Sequence, residues 1–460
     1  MSLRPHILVM AAGKGTRMVS SLPKVLHPVL FRPLLHHVLD LATALPHSSI
    51  SIIVGHGEKE VRDACAGYSD VRYFLQSEQL GTGHAVKMAE PFLSKQSGQC
   101  LVLSGDVCLV RMETLLGMIA SHESSKASLT LLSARPKEPK GYGRILRNDR
   151  GSVVGIREEK DGSPTELAVG EVNAGVYLFD LPSLLSALSR LENRNAQKEY
   201  YLTDTVALLA SAQNRVEAFC LEDAAEMQGI NDRCELASVE AQLQGRINQH
   251  WMKAGVSLHR PESSVIDSRS RFGKDVSVEP DCTIINSSVA DGCVIERGSR
   301  LVNTTVGAGT TIKQGSYLSD STVGEGCSVG PYAHLRPHSS LSDRVKIGNF
   351  VEIKKSNFGV GSKASHLSYI GDAEIGQDVN LGCGFITCNY DGGPIKHKTT
   401  IEDGVFVGSD SQTVAPVTLG KDSYVASGTT VTKDVPADSL AISRGKQINK
   451  VGYASKFRKG

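Results

Sequence analysis

One spacing in the second half of the chain excludes most folds. Val323, Val329, Leu335, Leu341, Ile347 and Ile353 follow one another at every sixth position, and Ile401, Val407, Thr413, Leu419, Val425 and Val431 repeat the step. Glycine often follows the aliphatic residue, as in Val323-Gly324, Ile347-Gly348 and Val407-Gly408. A six-residue repeat of this kind marks a parallel β-helix. One inward aliphatic per six residues fills a narrow prism, while glycine and small polar residues take the corners. A sandwich would instead show period two with hairpin turns, and that pattern is missing. The frame slips twice, by a step of seven from Ile353 to Val360 and by a step of five near Ile370 and Ile375. Between Leu381 and Ile401, Asn389-Tyr390-Asp391-Gly392-Gly393-Pro394 has turn chemistry. Insertions in solenoids map to loops, often on the binding face.

Residues 1 to about 220 obey a different rule. Apolar runs at 7–10, 50–54, 71–75, 100–103, 128–132 and 174–179 read as strands. Between them lie helical faces, as in Leu34, Leu35, Val38, Leu39, Leu41, Ala42 and Leu45, with 58–66, 83–92 and 112–122 reading the same way. Alternation at this spacing implies β-α-β units and a mostly parallel sheet, an α/β architecture. Leu236, Val239, Leu243, Ile247 and Trp251 form one helical stripe in a segment with few breakers. The expected division is therefore 1–233, a linker helix at 234–254, and the β-helix at 255–460.

Composition removes further classes. Glycine supplies 45 of 460 residues without a period of three, so the surplus is not collagenous. Residues 255–460 hold 26 of these glycines and residues 1–254 only 19, which places the excess in the prism. Lys and Arg total 50 against 49 Asp and Glu, so no global field points to nucleic acid or an anionic membrane. No apolar run nears the ~20 residues of a membrane span. The opening Met1-Ser2-Leu3-Arg4-Pro5-His6 leads into Ile7-Leu8-Val9-Met10 alone, too short for a signal-peptide core. The 10 cysteines, at 65, 100, 108, 220, 234, 282, 293, 327, 383 and 388, contain no C-x-x-C pair. A soluble, reduced, cytoplasmic protein with no nucleic-acid or membrane partner is the expectation.

Directly after the first strand comes Ala11-Ala12-Gly13-Lys14-Gly15-Thr16-Arg17-Met18. Small residues let the backbone approach a ligand, and successive N–H groups can cradle phosphate oxygens. The spacing matches neither G-x4-G-K-[ST] nor G-x-G-x-x-G. By itself such a turn is as readily structural as functional. Arg17, and Lys24 in Leu22-Pro23-Lys24-Val25-Leu26, add cations that suit a triphosphate at the end of a sheet strand. Asp106 follows the run 100–104 at its C-terminal end, where open α/β sheets place ligands. A carboxylate there suits Mg²⁺, which keeps waters and bridges phosphate oxygens, although a lone aspartate would be a turn cap.

The series of motifs resembles the sugar-nucleotide pyrophosphorylases. After the turn and Leu22-Pro23-Lys24 come Gln76, Gln79-Leu80-Gly81-Thr82-Gly83-His84-Ala85, Gly105-Asp106-Val107 and Gly141-Tyr142-Gly143-Arg144. Glu158, Asn173-Ala174-Gly175, Tyr200-Tyr201-Leu202-Thr203-Asp204 and Gly229-Ile230-Asn231 complete it. With the repeat half included, the whole chain resembles the bacterial family of bifunctional N-acetylglucosamine-1-phosphate uridylyltransferase / glucosamine-1-phosphate acetyltransferases. The resemblance implies a Rossmann-like nucleotidyltransferase domain followed by a left-handed parallel β-helix. It assigns Ala11, Ala12, Gly13, Gln76, Gly81 and Thr82 to the uracil nucleotide, and Gly143, Glu158 and Asn173 to the N-acetylated sugar. Asp106 and Asn231 would hold Mg²⁺, with Asn231 also on the substrate side. The implied chemistry is in-line attack of the sugar-1-phosphate oxygen on the α-phosphate of UTP, releasing pyrophosphate. That nucleophile is already ionised, so positioning and charge neutralisation by Lys24, Arg17 and Mg²⁺ would carry the rate. Cys108 and Met10 stand where the family commonly has proline and leucine, and neither change removes a ligand.

His366, in Gly361-Ser362-Lys363-Ala364-Ser365-His366-Leu367-Ser368-Tyr369-Ile370-Gly371-Asp372, lies where the frame slips. By spacing alone it is an ordinary surface histidine. Leu335-Arg336-Pro337, Gly348-Asn349-Phe350-Val351-Glu352-Ile353-Lys354-Lys355, Thr387-Cys388-Asn389-Tyr390-Asp391-Gly392, Phe406-Val407-Gly408-Ser409-Asp410 and Ala441-Ile442-Ser443-Arg444 resemble the acetyltransferase half. The resemblance makes His366 the general base that takes a proton from the glucosamine amine; the near-neutral pKa of imidazole suits that role, and a neighbouring carboxylate could orient it. It places Arg336, Lys354, Tyr369 and Asn380 on glucosamine 1-phosphate. Cys383, Asn389, Tyr390, Ser409, Ser427 and Arg444 would contact acetyl-CoA, Cys383 and Ser427 through backbone or shape because alanine is common there. The basic tail of Lys446, Lys450, Lys456, Arg458 and Lys459 reads as a solvated terminus before it reads as a CoA-phosphate contact. The resemblance also implies a homotrimer with sites at subunit boundaries.

Two rivals differ in what they require. A pyrophosphorylase with a merely structural or regulatory β-helix predicts no matched His366 and no Asn389-Tyr390-Asp391-Gly392 loop. A non-catalytic scaffold subunit predicts erosion of Arg17, Lys24, Asp106 and Asn231. All of these residues are present.

Overall fold

The computed structural model describes residues 4–457; Met1-Ser2-Leu3 of the leader reading and Arg458 and Lys459 of the basic tail lie outside the described residues. The chain forms two compact units, Met1–Leu243 and Gln244–Gly460.

The first unit is built on a nine-stranded sheet. Its main path runs Val216–Cys220, Leu129–Ala134, Val172–Asp180, Gln99–Ser104, His6–Met10, Ser49–Val54, Val71–Leu75. Along it only Val172–Asp180 runs antiparallel to its neighbours. Ser49–Val54 and Leu129–Ala134 are buried at every residue. Strands covered on both faces read as continuous apolar runs, which is why these were legible. The hairpin Arg144–Arg147 and Val153–Arg157, and the edge strand Val216–Cys220, mix charged and half-buried residues, so no run marked them. Helix Leu34–Ala44 buries Leu34, Leu35, Val38, Leu39 and Ala42 against the sheet. The stretch 83–92 expected as one helix is two, Thr82–Lys87 and Glu90–Leu93. Pro91 lies in the first turn of the second, where its missing N–H costs nothing.

Helix Arg233–Lys253 covers the striped segment, and the division between the units falls inside it. Val239 is buried in the first unit. Ile247 and Trp251 pack against the core of the second, where Gln244 and Asn248 also bond the chain at Ile266 and Pro261.

The second unit is a β-helix of three parallel sheets with eleven, ten and nine strands. Each strand pairs with the strand one coil later, as Ser277 does with Val294 and Thr283 with Arg300. The inward ladder Val289, Ile295, Leu301, Val306, Ile312, Leu318 and Val323 is fully buried. Its steps are six, six and five, so a coil takes seventeen residues, as in the bond from Thr304 to Ser287. The expected step of seven at Ile353 is therefore incorrect. Phe358, 1 % exposed, is the inward residue, whereas Val360 is only half-buried. A ladder counted in aliphatics passes over an aromatic rung. The short step recurs on one side of the prism, and only the coils at Leu341 and Leu419 restore it to six. Inside the corners, buried hydroxyls accept the N–H of the next coil, as Ser287 does from Thr304, Ser356 from Ala373 and Ser362 from Val379. These satisfy backbone groups that would otherwise be stranded in an apolar prism.

The cysteines are free. Cys293 and Cys327 take corner positions, donating to Gly307 and Ser342 carbonyls as hydroxyls do elsewhere. Burial pushes the thiol of Cys65 to about 11 and that of Cys100 to about 12. Among the described residues no helix is long and apolar enough to cross a membrane.

Two outcomes follow from this packing. A thiol reagent at neutral pH should label exposed Cys220 and Cys234 within minutes, and Cys65, Cys100, Cys282, Cys293 and Cys327 only after denaturation, as read by mass spectrometry. Phe358→Ala should lower the stability of the second unit by about 3–5 kcal/mol in urea unfolding, the usual cost of an emptied aromatic core position.

Candidate active sites

The first unit carries a cleft of about 300 Å³ lined by Ala11, Ala12, Gly13, Lys24, Gln76 and Asp106, among others. It lies at the C-terminal ends of His6–Met10 and Gln99–Ser104, adjacent strands at the point where the sheet order reverses. Crevices at such switch points are where open α/β sheets bind ligands. Gly105 N–H donates to Met10 O and Ala11 N–H to Ile53 O, so the loops after three strands are tied at the mouth. Gln76 is buried, and its Nε2 donates to Gly81 O at 3.0 Å. Gly81 has φ +106°, and a Cβ there would lie 2.6 Å from Tyr200 O, so only glycine fits.

Lys24 sits on the short turn Lys24–Leu26. Gly15, at φ +60°, makes room for it, because an added Cβ would meet Lys24 Cβ at 2.5 Å. The Lys24 ammonium pairs with Asp106 Oδ2 and lies 3.5 Å from Asn231 Oδ1. Ser104 Oγ donates to Asp106 Oδ1 at 2.5 Å, and Glu235 accepts the Asn231 N–H. Carboxylate and carboxamide oxygens from segments over a hundred residues apart thus converge where a positive charge already sits. Among the described residues no cluster of three His, Cys, Asp or Glu has metal-holding geometry. A sparse, all-oxygen donor pair fits a hard ion that retains its waters, as Mg²⁺ does, and not a zinc-type site. Arg17, expected beside Lys24, is exposed on the turn Thr16–Met18, whose Met18 is buried, and is not among the residues lining the cleft.

Gly143, Glu158 and Asn173 come together beyond it. Asn173 N–H donates to Gly143 O at 2.8 Å, and a Cβ on Gly143 would lie 3.5 Å from Glu158 Oε2. Asn173 Nδ2 donates to Tyr177 OH at 2.7 Å. Burial raises the Glu158 carboxyl above its ordinary range, opposed by a 2.8 Å hydrogen bond from Thr203 Oγ1. Burial, then the charges of Glu158 and Asp161, push Asp204 to about 6.

In the second unit His366 ends the strand Lys363–His366, and the register sets it on Asn349 of the preceding coil. Its Nδ1 lies 2.8 Å from Asn349 Oδ1. A carboxamide oxygen only accepts, so Nδ1 carries the proton and Nε2 keeps a free lone pair. The group that orients it is thus a carboxamide rather than a carboxylate. The column continues through the coils that follow. Leu381 pairs with Val407 and Val407 with Val425, which puts Cys383, Ser409 and Ser427 in line behind His366. The bonds Asp410 N–H to Cys383 O and Gly428 N–H to Ser409 O mark the same edge. Arg444 closes it, its Cδ 3.7 Å from where a Gly428 Cβ would be.

The adjoining side of the prism holds the cations. Lys354 pairs with Gly371, and Arg336 N–H bonds Ile353 O in the coil between. Arg336 is paired with Glu352 at 2.7 Å. The Lys396 ammonium, with smaller effects of burial, Arg336 and Lys355, pushes Lys354 below its ordinary range. Like charges held together this way leave a place for an anion. Gly371 ends the column, and a Cβ there would lie 2.5 Å from Tyr369 OH and 2.8 Å from Asn389 Nδ2. Lys396, Asn389 and Tyr390 belong to the inserted loop, whose Lys396 ammonium stands 5.8 Å from the Tyr390 ring. Asn380 is not brought to His366; it stands at the other end of the same side, paired with Lys363 and Phe406. Lys446, Lys450 and Lys456 are exposed. Ser104, Thr203, Asn349 and Lys396 went unread as site residues; the last three act on partners distant in sequence, and Ser104 is the polar end of a strand that reads as an apolar run.

Around His366 the corner residues Tyr332, Phe350 and Leu367 hold φ of +53°, +56° and +46° and are exposed. Bulky side chains rarely adopt this conformation. Gly315 and Gly384 occupy the same corner in coils to either side.

Comparison with known proteins matches residues 6–255 to the Nucleotidyl transferase family and residues 262–358 to the GMPPB C-terminal domain. The chain is 49% identical over 453 residues to the Bifunctional protein GlmU of Pelobacter propionicus, covering 98% of each. It is 48% identical to the protein of that name from Trichlorobacter lovleyi and 44% identical to that from Shouchella clausii, again over 98% of each chain.

Proposed function

The chain belongs to the GlmU family of bifunctional proteins, and on that premise we propose that it makes UDP-N-acetylglucosamine at two separate sites, one in each unit. The second unit is the family's left-handed parallel β-helix and the first its nucleotidyltransferase domain. Acetyl transfer from acetyl-CoA to glucosamine 1-phosphate comes first, and uridylyl transfer from UTP to N-acetylglucosamine 1-phosphate follows. The observation that carries this reading is the pair of independent constellations, Lys24–Asp106–Asn231 and Asn349–His366. Both activities act on soluble metabolites, which suits the cytoplasm.

In the β-helix, Arg336 and Lys354, with Tyr369, hold the sugar phosphate, and Asn380 completes that pocket. His366 Nε2, left with its lone pair by the bond to Asn349, takes a proton from the glucosamine ammonium. The free amine then attacks the thioester carbonyl of acetyl-CoA, and coenzyme A leaves as its thiol. Cys383, Ser409, Ser427 and Arg444 hold the cofactor along one edge, with Asn389 and Tyr390 on the inserted loop. His366 and Asn380 stand at opposite ends of one prism side, and the cation column lies on the adjoining side. This separation supports a homotrimer in which neighbouring copies complete each site. The apolar corner of Tyr332, Phe350 and Leu367 is the surface offered to such a copy.

In the first unit, Ala11, Ala12, Gly13, Gln76, Gly81 and Thr82 take the uracil nucleotide, and Gly143, Glu158 and Asn173 take the N-acetylated sugar. Lys24 neutralises charge at the α-phosphate, and Arg17, on its exposed turn, does so at the outer phosphates. Asp106 and Asn231 would hold Mg²⁺, which when bound supplies charge neutralisation on the triphosphate. The sugar phosphate arrives ionised, so the residues around it align an in-line attack and abstract no proton.

Two variants test the division. His366→Ala should lower coenzyme A release by about 10²-fold or more, the usual weight of a general base, and leave UDP-sugar synthesis from N-acetylglucosamine 1-phosphate unchanged. Asp106→Ala should do the reverse; loss of both activities in either folded variant would sink the two-site reading. Asn349→Ala, which frees the imidazole to turn, should lower kcat for acetyl transfer about tenfold, the worth of one orienting hydrogen bond. KM for either substrate should move little in a coupled thiol assay.

A further inference from the structure

We infer that Thr203 is a positioning residue for the sugar half of the uridylyltransfer site, holding the Glu158 carboxylate in place by its hydroxyl. The inference rests on the reading of Glu158 as a sugar contact. Thr203 is 5 % exposed, and its Oγ1 donates to Glu158 Oε1 at 2.8 Å. It stands immediately before helix Asp204–Ser211, which fixes its backbone. Glu158 is crowded by like charge, since Asp161 and Asp204 both act on it or are acted on by it, with Tyr201 and Tyr177 close by. Burial and these neighbours favour a protonated or displaced carboxyl, and the Thr203 donor opposes them. A carboxylate that must accept bonds from sugar hydroxyls or an amide N–H needs that donor on its far oxygen.

The same short segment also grips the nucleotide side. Tyr200 N–H donates to Leu80 O at 2.8 Å, Gly83 N–H to Tyr200 O at 2.7 Å, and Leu202 N–H to Thr82 Oγ1 at 3.0 Å. The loop carrying Gly81 and Thr82 is therefore strapped to residues 200–202, and the next residue holds Glu158. Those three bonds run through backbone groups or Thr82, so the Thr203 hydroxyl can be removed without touching them. Its loss should be felt by the sugar and not by UTP.

The test uses the full-length protein and initial rates of pyrophosphate release. Thr203→Val keeps shape and removes the donor, Thr203→Ser restores it, and Glu158→Gln removes the charge the donor serves. Thr203→Val should raise KM for N-acetylglucosamine 1-phosphate about tenfold, the worth of a hydrogen bond to a charged group. KM for UTP, the melting temperature and the acetyl-transfer rate should stay near wild type, and Thr203→Ser should recover most of the loss. If Glu158→Gln raises that KM and Thr203→Val does not, the positioning role is wrong while the reading of Glu158 stands. If Glu158→Gln leaves KM unchanged, the reading of Glu158 fails and takes this inference with it. An equal rise in both KM values that serine does not rescue would reduce Thr203 to a packing residue. Should the valine variant not fold, Thr203→Ala against Thr203→Ser makes the same comparison.

Discussion

The register between successive coils governs the second unit. Once Ser277 lies on Val294 and Lys346 on Lys363, every residue is committed to a column with partners about seventeen positions away. A slip of one residue would turn each inward aliphatic outward, so the prism core and the register enforce one another. The corner hydroxyls of Ser287, Ser356 and Ser362 lock the same spacing by accepting the next coil's N–H. Columns are then the only way to gather side chains at one place. Asn349, His366, Cys383, Ser409 and Ser427 line one edge, and Arg336, Lys354 and Gly371 line another, because the stacking permits nothing else.

The first unit reaches a site by the opposite route. No repeat brings Lys24, Asp106 and Asn231 together; the sheet order does, by placing His6–Met10 beside Gln99–Ser104 at the switch point. The loops that follow must then pass closely, and glycine permits this at Gly15 against Lys24 and at Gly81 against Tyr200. Side chains here are held by local bonds, Ser104 on Asp106 and Glu235 on Asn231, and by contacts from distant segments, Lys24 on Asp106 and Thr203 on Glu158. Such a site depends on loop placement, whereas the β-helix site depends on periodicity.

That difference decided what the sequence could disclose. The six-residue step was plain because aliphatic rungs are chemically alike, and it failed at Phe358 because that rung is aromatic. The shorter third step, seen at Ile370 and Ile375, was read as a slip, since a five shows itself as regular only when its recurrence is seen in space. Continuous apolar runs disclosed the buried strands, while Arg144–Arg147 and Val216–Cys220 carry charges that hide them. Asp106 and His366 were singled out through their motifs, and the one lines the cleft while the other stands on the coil edge beside Asn349. Their supports were not: Asn349 is one coil away and Thr203 lies forty-five residues from Glu158. Arg17 was grouped with Lys24 by proximity in sequence, and the structure leaves it exposed at the rim while Lys24 lines the cleft.

The carboxamide beside His366 fits its surroundings better than a carboxylate would. Both acetyl donor and sugar acceptor bring phosphates, and the like charges of Arg336, Lys354 and Lys396 suit an anion on their side. A carboxylate on the His366 edge would add a negative charge facing those ligands, and would also stabilise the imidazolium. Asn349 fixes the tautomer through the same hydrogen bond without that charge. The imidazole is then held ready to accept at Nε2, and the charge it gains is not trapped by a neighbouring anion. Lys354 is pushed down by Lys396, and a phosphate bound there would relieve the repulsion between the two ammonium groups. Orientation and charge are thus supplied by different sides of the prism, and the coil register keeps them apart.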